Sequence, residues 1–277
     1  MPELPEVEVC RLGIEPELVG QLIHTVVIRT PRLRQPIPPE LVPLLTGARI
    51  LAVRRRAKYL LLDCAGPGGE GSVLIHLGMS GNLRFVPPGQ PIEKHDHVDL
   101  VLSTQILRLA DPRRFGLVLW QPGPPALSLQ HPVLASLGVE PLSAAFTVDC
   151  LRQAFSRRHG PVKPVLMDGK LVVGIGNIYA SESLFRAGIS PLRPASGISR
   201  PRCELLVAAV RETLSDAIAA GGSSIRDYVH SDGGAGCFQV QAAVYERAGE
   251  PCRRCTGQVR QIRQAGRSTY YCPSCQH

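Results

Sequence analysis

The sequence predicts an α+β chain: an N-terminal antiparallel β domain, sandwich or barrel-like, with flanking helices, then a helical region, then a cysteine-pinned β-hairpin. Three observations carry this. Short β-rich segments crowd the first 120 residues, helical periodicity takes over beyond a proline-rich connection, and four cysteines near the C-terminus fall as C-x2-C, sixteen residues, C-x2-C. At 277 residues the chain is long for one domain and comfortable for two.

Pro5 sits in the first turn of a helix running to about Leu18, with Glu6 and Glu8 near its positive end. β-rich segments follow at His24–Arg29, Ile50–Arg56, Tyr59–Asp63, Val73–Leu77, Leu83–Val86, His97–Ser103 and 106–120. Turn signals separate them, including Gly66–Gly71, which reads as a tolerated surface-turn insertion, and Pro87–Gly89. Pro122, Pro124, Pro125 and Pro132 mark a stiff connection. Beyond it, Asn177–Ala187 and Ser199–Ala220 are the clearest helices; the second has Ser199 to cap it, Pro201 in its first turn and Gly221 past its end. Gly221–Gly236 is glycine-rich and reads as a loop. No internal repeat is evident.

Cys252 and Cys255, with Cys272 and Cys275, can each clasp one side of a tetrahedral Zn²⁺, and the stretch between them suits a β-hairpin. Four thiolates leave no open ligand position, so one zinc is expected and its role is structural. Two disulfides or a redox pair would use the same residues, but the start MPELPEVEVC has neither the basic nor the apolar region of an export signal. Arg253, Arg254, Arg260, Arg263 and Arg267 make this segment basic, with no acid between the cysteine pairs. That pattern suits a phosphate backbone, and a net charge of +8 with a pI of about 9.2 points the same way. Cys10, Cys64, Cys150, Cys203 and Cys237 are scattered singly and read as inert thiols. No apolar run approaches the ~20 residues of a membrane span.

Met1 precedes the small residue Pro2, a context in which methionine is commonly trimmed. Trimming frees a proline nitrogen as the α-amino group, whose reference pKa of about 8 leaves a useful neutral fraction at pH 7. A neutral secondary amine can attack a sugar carbon, and the iminium that forms is an electron sink. Glu3 alongside can act as a general acid.

Seven motifs occur in one order: MPELPEVE at the start, RRRAKYLLL around Lys58, HLGMSGNLR around Met79, EKHDHVDL around His95, DPRRFG around Arg113, LVVGIGNIYASE around Asn177, and the zinc cysteines. Together they closely resemble the bacterial formamidopyrimidine-DNA glycosylases, over nearly the whole chain. The resemblance implies an N-terminal catalytic β-sandwich over 1–131, a helical DNA-binding domain with a helix–two-turn–helix and a lesion-capping loop over 132–239, and a zinc finger over 240–277. It implies a monomer acting in the bacterial cytoplasm, at the nucleoid. Its partner is duplex DNA carrying oxidised purines, notably 8-oxoguanine and formamidopyrimidines, which it excises before cleaving the abasic site.

Residue by residue, the resemblance makes Pro2 the Schiff-base nucleophile and Glu3 the acid that protonates the opening deoxyribose. Lys58, placed on a strand edge, assists β-elimination and contacts phosphate; a solvated lysine in a basic run is the plainer alternative. Arg267 is the family's residue for δ-elimination. A guanidinium with a pKa above ~12 is a poor proton donor, so it is read first as a phosphate clamp. An extruded nucleotide leaves a hole in the stack, and Met79, Arg113 and Phe115 match the residues that fill it, Met79 and Phe115 as apolar wedges and Arg113 as a hydrogen-bond donor to the orphaned cytosine, whose pairing edge offers acceptors where adenine presents an amino donor. Neighbouring glycines place them on loop tips rather than in the core. His95, Arg158 and Asn177 match DNA contacts, and Asn177, after Gly174 and Gly176, is expected where helix N–H groups meet a phosphate. Lys163 and Glu6 are read as lesion-pocket residues, Lys163 also touching DNA. In the capping segment Gly221–Phe238, Cys237 stands where a tyrosine is expected in some members, which offers less stacking area.

Two other readings rest on many of the same residues. The sister glycosylases for oxidised pyrimidines tend to begin Pro-Glu-Gly and lack the Met/Arg/Phe set; Leu4 and DPRRF favour the purine enzymes. A zinc DNA-binding protein without catalysis would not need Pro2, Glu3 and Lys58 together.

Overall fold

The computed structural model describes residues 1–222 and 242–277. They fall into two compact units: Met1–Pro2 with Glu6–Ser136, and Glu3–Pro5 with Leu137–Gly222 and 242–277. Most of the capping segment and Cys237 lie outside the described residues.

The first unit is a sandwich of two antiparallel four-stranded sheets, which decides against a barrel. One sheet has the order β1 (Thr25–Ile28), β6 (Asp96–Val101), β7 (Ile106–Ala110), β5 (Asn82–Val86). The other has β2 (Arg49–Arg56), β3 (Tyr59–Gly66), β4 (Gly69–His76), β8 (Leu117–Pro122). Alternate residues of each sheet face one core, among them Val26, Val98, Leu107, Val53, Leu62 and Ile75. Helix α1 (Leu4–Leu18) adds Val7, Cys10, Ile14 and Leu18 to that core, at the spacing that puts them on one face. Its other face carries Glu8, which pairs with Arg11 at 2.8 Å and Arg55 at 2.7 Å. The short helix α2 (Leu41–Leu45), not anticipated from the sequence, buries Leu41 and Leu45.

Two details of this unit refine the sequence reading. The Gly66–Gly71 segment is an exposed, tight hairpin turn: β3 and β4 stay paired as far as Gly66–Gly69. A Cβ at Gly66 would collide with Ala48, at Gly68 with Leu44 and at Gly71 with Trp120, so the glycines are required by close approach. The proline-rich connection is a 3-10 helix, Pro125–Gln130. Arg54 holds it, donating to the Pro125 carbonyl at 3.1 Å and Ser128 Oγ at 3.0 Å while paired with buried Asp63. The short helix α3 (Pro132–Ala135) ends the unit.

The second unit is helical, with α4 (Val148–Ser156), α5 (Val162–Leu166), α6 (Asn177–Arg186) and α7 (Arg200–Ala219). Thr147 caps α4 by accepting the Cys150 N–H at 3.1 Å. Ser199 occupies the N-cap position of α7 but makes no side-chain cap bond; Pro201 pre-forms the first turn instead. The helix α5, the turns over 167–176 and helix α6 form the helix–two-turn–helix. The chain ends in a hairpin of β9 (Arg260–Gln264) and β10 (Arg267–Tyr271). Its two-residue loop, Ala265–Gly266, has positive φ at both positions (46° and 76°), the twist that closes a tight hairpin.

Candidate active site and nucleic-acid interface

In the helical unit the N-terminal segment is stitched into the helix–two-turn–helix. Leu4 N–H donates to the Gly174 carbonyl at 3.0 Å. The Glu3 carboxylate, 3% exposed, lies at the N-terminus of α6 and accepts N–H groups from Gly176 at 2.7 Å, Ile178 at 3.1 Å and Tyr179 at 3.4 Å. A side chain at Gly176 would collide with that carboxylate, and one at Gly174 with Leu4. The Gly176 N–H, and those of Ile178 and Tyr179 just beyond Asn177, are therefore occupied by the protein's own carboxylate.

Asn177 opens α6, and its side chain is oriented by Lys163. Lys163 is 1% exposed, and its ammonium donates to Asn177 Oδ1 at 2.6 Å, the Ser268 carbonyl at 3.0 Å and Thr269 Oγ1 at 2.9 Å. Burial pushes its pKa down to about 8; Glu3 opposes the shift and Arg267 adds to it. With three acceptors inside the protein, Lys163 ties α5 to the hairpin and aims Asn177, and in this arrangement it has no donor left over for a DNA or lesion contact. Arg267 is exposed at the start of β10, next to the Ser268 carbonyl that Lys163 holds. Arg158 is half-buried after α4 and pairs with Asp168 at 2.8 Å.

The four cysteine sulfurs lie within 4.8 Å of one another. Cys252–Cys275 and Cys255–Cys272 separations of 3.8 and 3.5 Å are close to the roughly 3.8 Å edge of a tetrahedron with 2.3 Å Zn–S bonds. N–H groups of Arg254 and Gly257 point at Cys252 and Cys255, each at 3.4 Å, as suits thiolates. Burial and the three neighbouring sulfurs push the Cys275 thiol up, and thiolates packed this closely are stabilised by a cation among them. The residues fit one structural Zn²⁺. Among the five arginines, Arg254 turns inward: it donates to the Phe185 and Arg186 carbonyls at 3.1 and 3.2 Å and lies over the Phe185 ring. It docks the finger on α6, which the charge pattern alone did not separate from phosphate binding.

Glu182, which the sequence reading passed over, is buried and accepts the N–H groups of Ala243, Val244 and Tyr245 at 2.8–3.0 Å, fixing the entry to the finger. Only its place inside a helical apolar run could have marked it.

The sandwich unit carries the other expected residues. Pro2 and Glu6 are buried. Lys58 is half-buried and sits in the two-residue turn between β2 and β3, where the sequence reading had a strand edge. Ala57 before it has φ 54°, a conformation costly for a residue with a Cβ. His76, at the end of β4, was not foreseen. Its Nδ1 accepts the Gly78 N–H at 2.9 Å, and Tyr59 meets its ring edge-on. Burial, then the charges of Arg34 and Lys58, push its pKa down to about 3, so it is neutral with its proton on Nε2. The HLG run ahead of Met79 was the one signal for it.

Met79 is half-buried on the loop after His76; Arg113 and Phe115 are exposed on the loop after β7, with Phe115 45% exposed and Arg113 4.9 Å over its ring. A Cβ at Gly78 would collide with the Phe115 backbone, so the two loops nest. His95 is half-buried, and its carbonyl accepts the Asp111 N–H at 3.0 Å. Asp96 pairs with Arg84 at 2.8 Å and Arg108 at 3.3 Å, and His97 binds Thr30 and the Asp111 carbonyl.

Residues 1–118 match the formamidopyrimidine-DNA glycosylase N-terminal domain, 137–229 the H2TH domain of the same glycosylases, and 249–277 the zinc finger found in FPG and IleRS. The chain is 72% identical to a formamidopyrimidine-DNA glycosylase of Dechloromonas aromatica, over all of both chains. It is 54% identical to one of Aromatoleum aromaticum, over 100% of this chain and 99% of that one. Among solved structures it resembles the MutM (Fpg) protein of Thermus thermophilus, with TM-score 0.86, 40% identity and 99% and 98% of the two chains covered. It also resembles a wild-type Lactococcus lactis Fpg complexed with N7-benzyl-Fapy-dG-containing DNA, with TM-score 0.91, 34% identity and both chains wholly covered.

Proposed function

The chain belongs to the formamidopyrimidine-DNA glycosylase family, and from that premise we propose that it excises oxidised purines, 8-oxoguanine and formamidopyrimidines, from duplex DNA and then cleaves the abasic strand. The observation that carries the reading is the pinned N-terminus. Chain ends are usually loose, yet here Glu3 takes three N–H groups of the α6 terminus and Leu4 bonds Gly174. That construction holds the residue before Glu3 in a fixed place, as a nucleophile requires.

In this reading the trimmed Pro2 nitrogen attacks the sugar C1′ with its lone pair, and the C1′–N bond electrons leave with the base, which takes up a proton. The Pro2 nitrogen sheds its proton to Glu3, which returns it to O4′ as the ring opens and an iminium forms. Loss of a C2′ proton then breaks the C3′–O bond, with Lys58 assisting and holding phosphate; Arg267 clamps the phosphate through the second elimination. Met79, Arg113 and Phe115 fill the vacated stack. His95, Arg158 and Asn177 hold the backbone, with Lys163 aiming Asn177, and Glu6 borders the lesion pocket. The division at 131 and 239 separates catalysis, helical DNA binding and the finger, and the working compartment is the bacterial cytoplasm. No described helix is long and apolar enough to cross a membrane.

Borohydride trapping on 8-oxoguanine duplexes tests this, paired with intact mass to establish whether Met1 is present. The trimmed chain forms a covalent adduct; Pro2→Gly, or a chain extended ahead of Pro2, loses adduct and excision while still binding DNA. Full excision and strand cleavage with Met1 retained would overturn it. Binding without any adduct from the trimmed chain would favour a non-catalytic DNA-binding protein.

A further inference from the structure

Asp111 stands at the crossing of the two loops that carry Met79 and Arg113–Phe115. Its side chain is fully buried. Oδ1 accepts the Ser80 hydroxyl at 2.9 Å, from the residue after Met79. Oδ2 accepts the Gly116 N–H at 2.8 Å, from the residue after Phe115. The Ser80 Oγ in turn accepts the Arg113 N–H at 3.2 Å. The Asp111 backbone adds a turn bond from Arg114 N–H at 3.2 Å, and its carbonyl meets His97 Nε2 at 2.9 Å. Every bond to the side chain thus joins a residue adjacent to, or part of, the hole-filling set, although Ser80 and Asp111 themselves are buried and cannot touch a ligand.

We propose that Asp111 and Ser80 are positioning residues that lock Met79, Arg113 and Phe115 into one rigid wedge, so that the three enter the stack together and Arg113 meets the orphaned base at a set angle. The inference rests on the hole-filling reading of those loops. The physical need is clear. Two separate loop tips would each lose conformational freedom on insertion, whereas a bridged pair is ordered beforehand. A bidentate guanidinium contact also discriminates only if its direction is fixed. Arg114, at φ 54°, shows the turn held in a costly conformation that the Asp111 bonds offset.

Ser80→Ala removes the hydroxyl from both of its bonds with little change in volume. The measurements are single-turnover excision of 8-oxoguanine opposite cytosine and opposite adenine, and cleavage of an abasic site in single-stranded DNA, where no hole exists. Ser80→Ala should lower the cytosine-to-adenine ratio by about threefold to tenfold, the weight of one bridging hydrogen bond, and slow duplex excision, with single-strand cleavage unchanged. Asp111→Asn, which sets an amide N–H₂ against one of the donors, should act in the same direction. The effects of Met79→Ala and Arg113→Ala should be non-additive in the natural chain and additive in Ser80→Ala. If Arg113→Ala changes the ratio and Ser80→Ala does not, the bridge is refuted and the hole-filling reading stands. If neither changes it, the hole-filling reading falls first. Loss of single-strand cleavage in Ser80→Ala also counts against the proposal, because a bridge that only positions the wedge leaves the chemistry intact.

Discussion

At the scale of single residues, Glu3 shows why a local motif can be right for the wrong reason. GIGN reads as a phosphate cradle, yet the N–H groups of Gly176, Ile178 and Tyr179 converge on an anion already in the chain, the Glu3 carboxylate. A cap and a catalytic acid make different demands. If Glu3 only caps α6, Glu3→Gln costs stability, because an amide N–H₂ faces N–H donors, and leaves the rate alone. If it relays the Pro2 proton, Glu3→Gln lowers excision by about 10²–10⁴-fold, the range for general acid–base catalysis. Single-turnover excision beside thermal unfolding separates the two: a destabilised Gln variant at the natural rate would leave Glu3 a cap. Lys163 makes a similar point, since a lysine expected at a ligand is absorbed by three internal acceptors.

At the scale of elements, the sheet β1-β6-β7-β5 turns its core side chains inward and lines its other face with ions. Asp99 joins Arg29 at 2.6 Å and Arg108 at 2.9 Å, and Arg108 also reaches Asp96 at 3.3 Å. Burial works against the Asp99 charge, but hydrogen bonds from Arg29 and Arg108 outweigh it and hold the carboxyl below its usual range. The folded pKa lies under the unfolded one, so Asp99 contributes stability above about pH 4 that is lost as pH falls through the folded value. Asp99→Asn strands Arg108 in part and should cost about 3 kcal/mol near pH 7. Denaturant unfolding from pH 7 to 3 should show the natural chain approaching the variant as acid is added. A constant gap between them would exclude Asp99 as the acid-sensitive group.

At the scale of the whole molecule, the finger does more than carry charge. Its β10 supplies two of the three Lys163 acceptors and the base of Arg267. Structural zinc supplies folding free energy directly, so its removal should release the hairpin and free Lys163. Elemental analysis should give one zinc per chain. A chelator or Cys272→Ser should weaken DNA binding, and the slope of log affinity against log salt should fall by about one for each phosphate that an arginine no longer neutralises. An unchanged slope in the zinc-free chain would mean that the finger arginines do not touch phosphate.

What the sequence by itself determined was local. The cysteine spacing set the metal site, because four thiols at that interval have few other uses. Alternating strand patterns and turn residues set the sheets, and proline followed at length by glycine bounded α7. Loop glycines around Met79 and Phe115 told loop positions from core. Partners far along the chain were another matter. Lys163 meets residues 105 and 106 positions away, Ser80 meets Asp111 across 31, and Glu3 meets Gly176 across 173. A buried polar group must find hydrogen-bond partners, but sequence says only that it needs them. Which donor faces which acceptor follows from how sheets and helices pack, and that decided whether Glu3, Lys163 and Asn177 look outward to a ligand or inward to one another.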